Sequence, residues 1–283
     1  MSPQNKQTVY VETTVLTDLL LKTGALKEQA SSALGFFEEK LLPVYAIKEF
    51  KAGPLRRFVW LHNKLVVLNS FSATLDILQR VSRTPQRYLT STAIEALKTT
   101  AYSIGNIKAR ELVKKYGPNA TLDAMQRDEY RLALRMAVEK AWKNRKRGFR
   151  IVQPVSCYIE VAPQEKRGQL SLEPTSCGEM SCRLWPKIAE QPQVLATLRA
   201  VTDTVSNAEH KRRSQALHDI ERKPNVPLSR NQCVNLGDAV FAIFAPKDST
   251  ILSTNLRDLR PLAESLGKTC KSPSEVLATN AGT

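Results

Sequence analysis

The sequence lacks several things that would each assign it to a different class. No apolar run approaches the roughly 20 residues that span a bilayer, so a membrane-spanning chain is not expected. The opening stretch, MSPQNKQTVYVETT, has no apolar core of the secretory kind. Glycines number only 11 in 283 residues and form no Walker or Rossmann phosphate loop, which removes kinase and nucleotide-oxidoreductase readings. The five cysteines are an odd number for a chain of this length, which fits a reducing compartment better than a disulfide scaffold. A cytoplasmic protein follows as the expectation. Acid is also in short supply: 27 Asp and Glu face 42 Lys and Arg, for a net charge of +15. That excess favours a polyanionic partner, with nucleic acid first.

What is present reads as α/β. Residues 8 to 12, TVYVE, form a β-branched and aromatic run that predicts a buried first strand ending on Glu12. A helix follows over 15–22, with Thr13 or Thr14 as its N-cap, and Gly24 stops it. Residues 25–42 read as a second amphipathic helix ended by Pro43, and 44–47 as a second strand. Lys48, Glu49 and Phe50 then open a helix that Gly53-Pro54 interrupts. From Leu55 the pattern is helical for a long way. A segment over Thr84-Pro85 to Ala101 and another over 107–116 precede the longest run, from Asn119 or Thr121 to about Trp142. Residues 151–186 read as irregular, with β-like runs. Helices resume over 186–205 and 208–222, and a proline-bearing link leads into the last segment.

That last segment, NLGDAVFAIFAPKDSTILSTNLRDLRPLAESLG, predicts a helix with Asp238 at its start, a short strand over 249–253, and a turn at Thr254-Asn255 into a helix bearing Asp258. Polar groups at the carboxyl ends of strands in an open α/β sheet are where such folds bind ligands. Four carboxylates thus fall near strand ends or helix starts: Glu12, Glu49, Asp238 and Asp258. Brought together, they would repel one another unless protons or cations neutralised them, and an oxygen-rich cluster of this kind suits Mg²⁺ or Mn²⁺. Taken singly, each is first read as a helix cap or a surface acid.

Their order resembles a known family. VYVETTVLTDLL is similar to the opening motif of PIN domains, VYAIKEF to the second, and GDAVFAIFAPKDSTILSTNLRDL to the last two. The resemblance covers about 8–55 and 233–268. It implies a PIN-like three-layer α/β fold with a central parallel sheet, a discontinuous catalytic domain over 1–55 and 233–283, and a large mainly helical insertion over 56–232. It also implies a Mg²⁺- or Mn²⁺-dependent nuclease, cleaving single-stranded RNA sooner than DNA. Glu12, Glu49, Asp238 and Asp258 would hold the metal, joined by Asn255, with Thr14 and Thr254 in support. The family's first acid is usually Asp, whereas this chain has Glu12. The alternative is a non-catalytic PIN-like module that binds nucleic acid, or assembles with a protein partner or with itself.

The richest basic stretch is KNRKRGFR, residues 143–150, with Lys143, Arg145, Lys146, Arg147 and Arg150 beside Trp142 and Phe149. Cations for phosphates and aromatics for bases are the ingredients of single-strand binding; a solvated helix end is the competing reading. His210–Arg213, HKRR, reads as a surface cluster diluted by neighbouring acids. Of Cys157, Cys177, Cys182 and Cys233, Cys177 and Cys182 have the spacing of a zinc ligand pair, but no matching second pair follows. His62, Met125 and Met136 read as core positions.

Overall fold

The computed structural model describes residues 7–82, 94, 97–98, 109–117, 119–153, 160–175, 184–204 and 208–280. The helix expected from Thr84-Pro85, and Cys157, Cys177 and Cys182, lie outside the described residues.

A five-stranded sheet, parallel throughout, organises the fold. Its strands are β1 (Thr8–Val11), β2 (Glu39–Pro43), β3 (Arg150–Val152), β6 (Ser249–Leu252) and β7 (Thr269–Lys271), in the order β3-β2-β1-β6-β7. A separate antiparallel pair joins β4 (Gln164–Lys166) to β5 (Gln169–Ser171). β1 lies between β2 and β6, and Val9, Tyr10 and Val11 are all buried, as strands covered on both faces require. The chain leaves β1 toward β2 on one side and returns to β6 on the other. The order therefore reverses at β1, and the crevice beyond the carboxyl ends of β1 and β6 is the switch point of the sheet.

Helix α1 (Thr13–Leu21) and α2 (Ala25–Gly35) make the crossover between β1 and β2. The second strand is Glu39–Pro43, not 44–47, and α2 ends at Gly35, not at Leu42. Leu41 and Leu42 are the buried residues that the strand contributes to the core. Pro43 can close β2 because a proline at the last strand position, with extended ψ, needs no ladder donor. The β-branched look of Val44-Tyr45-Ala46-Ile47 belongs to helix α3 (Val44–Phe50), where burial on nearly every side overrides propensity.

Gly53-Pro54 does not break the helix either. Lys51–Leu55 forms a π-helical turn that carries α3 directly into α4 (Arg56–Leu68). The widened turn accommodates a residue that has no N–H to give.

The helical stretch continues with α5 (Phe71–Ser82), α6 (Ala109–Tyr116) and α7 (Leu122–Asn144), the last capped by Thr121. α4 packs along α7. β3 follows α7 and pairs with β2, so the segment 56–232 itself supplies a strand of the main sheet. Then come α8 (Leu184–Ala189), α9 (Pro192–Thr204), α10 (Ala208–Arg222) and α11 (Arg230–Asn235), the last opened by a capping box at Ser229. The end of the chain carries α12 (Gly237–Phe244), β6, α13 (Leu256–Ser265), β7 and α14 (Pro273–Asn280). No helix among the described residues is long and apolar enough to cross a membrane.

Candidate functional site

The backbone brings the first and last segments together at the switch point. Glu12 N–H donates to the Leu252 carbonyl at 3.1 Å, and Ser253 N–H to that of Lys271 at 3.1 Å, so the ends of β1, β6 and β7 are tied in register. Glu12 is the N-cap of α1. Its Oε2 accepts from Thr14 N–H at 3.0 Å, from the Thr14 hydroxyl, and from the Ser253 hydroxyl at 3.0 Å. The Thr14 hydroxyl oxygen in turn accepts from Thr254 N–H at 3.0 Å, and the Ser253 oxygen from Asn255 N–H at 2.9 Å. Thr14, Ser253, Thr254 and Asn255 thus form a frame that fixes the Glu12 carboxylate.

Glu49 reaches the same place from the second turn of α3. Its Oε2 accepts from the Thr13 hydroxyl at 2.8 Å, and its Oε1 lies over Gly237 at the start of α12. The next residue, Asp238, accepts from the Asn255 amide on Oδ1 at 3.4 Å and from Arg213 of α10 on Oδ2. Asp258, in the first turn of α13, faces His210 Nε2 at 3.4 Å and the side chain of its neighbour Arg257 at 3.3 Å. Lys268 anchors the far end of α12, with its ammonium donating to the carbonyls of Ala242, Ile243 and Ala245 at 2.6–2.7 Å.

The four acids form an electrostatic chain. Burial pushes Glu12 up to about 7, opposed by its Thr14 bonds and reinforced by Asp238. Burial pushes Glu49 up to about 8, reinforced by the charges of Glu12 and Asp238. Asp238 is raised by burial and by Asp258, while Arg213 pulls it back. For Asp258 burial works upward, but Arg257, Arg213 and His210 outweigh it and hold the carboxyl below its usual range.

All four sequence-predicted acids, with Asn255, Thr14 and Thr254, therefore belong to one neighbourhood at one edge of the sheet. Their donor set is oxygen only, the chemistry of a hard divalent cation. Among the described residues, however, no three His, Cys, Asp or Glu side chains stand ready-made around a common point. Asp238 and Asp258 are turned onto Arg213, His210 and Arg257 instead.

Of these partners, His210 and Arg213 were missed by reading composition. HKRR is divided by helical phase: Lys211 and Arg212 are exposed, whereas His210 and Arg213, three apart on one face of α10, are buried against the acids. Their spacing was the available signal. Ser253 and Gly237 were also missed, and nothing in residue type alone points to either.

The basic cluster is divided in the same way. Arg145 is buried, stacks on the Trp142 ring at 3.7 Å, and pairs with Glu160. Lys146 pairs with Glu160 at 2.7 Å, and Arg150 with Glu39 at 2.7 Å. Lys143 and Arg147 are exposed. Trp142 is buried, and its ring meets both Arg145, at 3.7 Å, and the Lys51 ammonium, at 5.3 Å. Cys233 is buried, and its carbonyl accepts from Tyr45 at 3.1 Å. His62 is packed in the core, but Met136 is exposed on α7. A scan of family models and searches of curated proteins and of solved structures found no match to this chain.

Proposed function

We propose that the acid cluster is the divalent-cation site of a PIN-like nuclease that cleaves phosphodiester bonds in single-stranded RNA, with Mg²⁺ or Mn²⁺ as its cofactor. One observation carries this reading. Glu12, Glu49 and Asp238, three mutually repelling carboxylates, are gathered where the strand order reverses, and burial raises all three. Gathering like charges in a poorly solvated place opposes folding, and a cation reverses the sign of that effect. The parallel order β3-β2-β1-β6-β7, with acids following β1 and β2 and flanking β6, is compatible with a three-layer α/β fold.

When bound, the cation supplies Lewis acidity and a water of lowered pKa. The chain's own part is orientation and proton balance. Thr14 and Ser253 fix Glu12, Thr13 fixes Glu49, and Asn255 holds Asp238 Oδ1. Because Glu12 and Glu49 titrate at about 7 and 8, ligation must release protons, and cation affinity rises with pH over that range. The +15 charge favours a polyanionic substrate; of the exposed cations of the 143–150 stretch, Lys143 and Arg147 are available to hold it, while the exposed Arg150 is paired with Glu39.

The second reading is a non-catalytic module that binds nucleic acid or a protein partner. The seating of Arg213 on Asp238 favours it, since an internal cation already neutralises that acid. Cleavage of single-stranded RNA and DNA with Mn²⁺ separates the two. The nuclease reading expects RNA cleavage that stops in chelator and falls at least about a hundredfold in Asp238→Asn and Glu49→Gln. Cleavage untouched by both substitutions, or its absence in the folded wild type, rejects it.

A further inference from the structure

Helix α10 presents two side chains to the acids of the last segment, His210 to Asp258 and Arg213 to Asp238. Arg213 is the unusual member. It is only 4% exposed, and its Nη2 donates to Asp238 Oδ2. Its Nε and Nη1 are shut away from solvent with no hydrogen-bond partner among the described residues. A guanidinium has five donors, and burying it with most of them idle is unfavourable. A purely structural ion pair usually satisfies the fork in two parallel bonds. Here a single carboxylate oxygen holds the group, and the other oxygen of that carboxylate is already bonded to Asn255.

A divalent cation at this cluster would need the same Asp238 oxygens and would repel the guanidinium at close range. The two cations are alternatives. We propose that Arg213 is an exchangeable internal cation: it occupies Asp238 while no divalent ion is bound, and leaves that carboxylate when one binds. This rests on the acid cluster being the divalent-cation site proposed above. It accounts for the acids being neighbours without standing as a finished ligand set. The exchange lowers the apparent affinity for the ion by the fraction of molecules in which Asp238 is free.

The test is calorimetric titration of the full chain with Mn²⁺, comparing wild type, Arg213→Met and Arg213→Lys. Removing the competing charge is expected to tighten Mn²⁺ binding by at least about tenfold in Arg213→Met, with Arg213→Lys between it and wild type. A folded Arg213→Met with equal or weaker affinity overturns the exchange while leaving the cation site standing. Failure of both wild type and Arg213→Met to bind Mn²⁺ overturns the exchange and the cation site together. If Arg213→Met does not fold, the Arg213 Nε–H resonance of the wild-type protein decides. A shift and faster solvent exchange on adding Mg²⁺ support displacement, and an unchanged, protected resonance at saturating Mg²⁺ overturns it.

Discussion

The Cβ that Gly237 lacks would lie 2.6 Å from Oε1 of Glu49, closer than side chains approach, with the Tyr45 hydroxyl 3.8 Å away. The obstructing atom is the end of a flexible side chain, so the clash moves a carboxylate and not the backbone. Gly237→Ala is expected to fold, with a melting temperature no more than about 5 °C below wild type, because the side chain that must give way is flexible. Its cleavage rate at saturating Mn²⁺ should fall about tenfold or more, because small displacements of a positioned group are costly to catalysis. Full activity in Gly237→Ala would separate Glu49 from the chemistry.

The raised carboxyls set a pH dependence of stability. In the unfolded chain both glutamates ionise near their ordinary 4.5, whereas in the fold Glu12 holds its proton to about 7 and Glu49 to about 8. Their contribution is complete below pH 4.5 and is lost as pH rises through 7 and 8, by up to about 1.4 kcal/mol per pH unit for each proton. In chelator, the melting temperature should drop from pH 6 to pH 8. Glu49→Gln should flatten that drop, and added Mn²⁺ should stabilise more at pH 8 than at pH 6. A melting temperature that rises over this interval in chelator, with Glu49→Gln following wild type, would contradict the assignment.

Lys268 determines where α12 ends. Its ammonium serves three carbonyls that would otherwise be buried without donors. Lys268→Met should lower stability by about 3 kcal/mol, read from chemical denaturation. A change below about 1 kcal/mol would mean that water replaces the ammonium.

The basic stretch should divide by function. Arg145→Ala is expected to lower the melting temperature through loss of the Trp142 stack and the Glu160 pair, leaving the salt dependence of RNA binding as it is. Lys143→Ala with Arg147→Ala should do the reverse, weakening binding and lowering the salt slope by about 1.4, since each single-strand phosphate contact contributes about 0.7. Filter binding across a salt series checks both.

Much of this was legible because short buried strands and capped helices carry local signals. TVYV, STIL and the Thr121 cap mark β1, β6 and α7, and α10 runs over the expected 208–222. Glu49 was placed beside the other acids through a strand shifted by five residues. Val44-Tyr45-Ala46-Ile47 has the residues of a strand, and only tertiary burial makes it a helix. β3 falls where the sequence shows β-like runs, but inside a segment read as insertion, and three residues are too few to announce that they join the main sheet. From the sequence, Arg145 reads as a nucleic-acid contact and Arg213 as surface charge. Both are buried: Arg213 against Asp238, distant in sequence and absent from any local pattern, and Arg145 against Glu160 and its near neighbour Trp142.

The most direct measurement is a crystal of the full chain soaked in Mn²⁺, with anomalous scattering recorded near the manganese edge. The expected result is an anomalous peak in direct coordination with Glu49 and Asp238 beside Glu12, with Arg213 withdrawn from Asp238 Oδ2. A saturated crystal with Arg213 still on Asp238 and no anomalous peak among these carboxylates would contradict the proposal that they form a divalent-cation site.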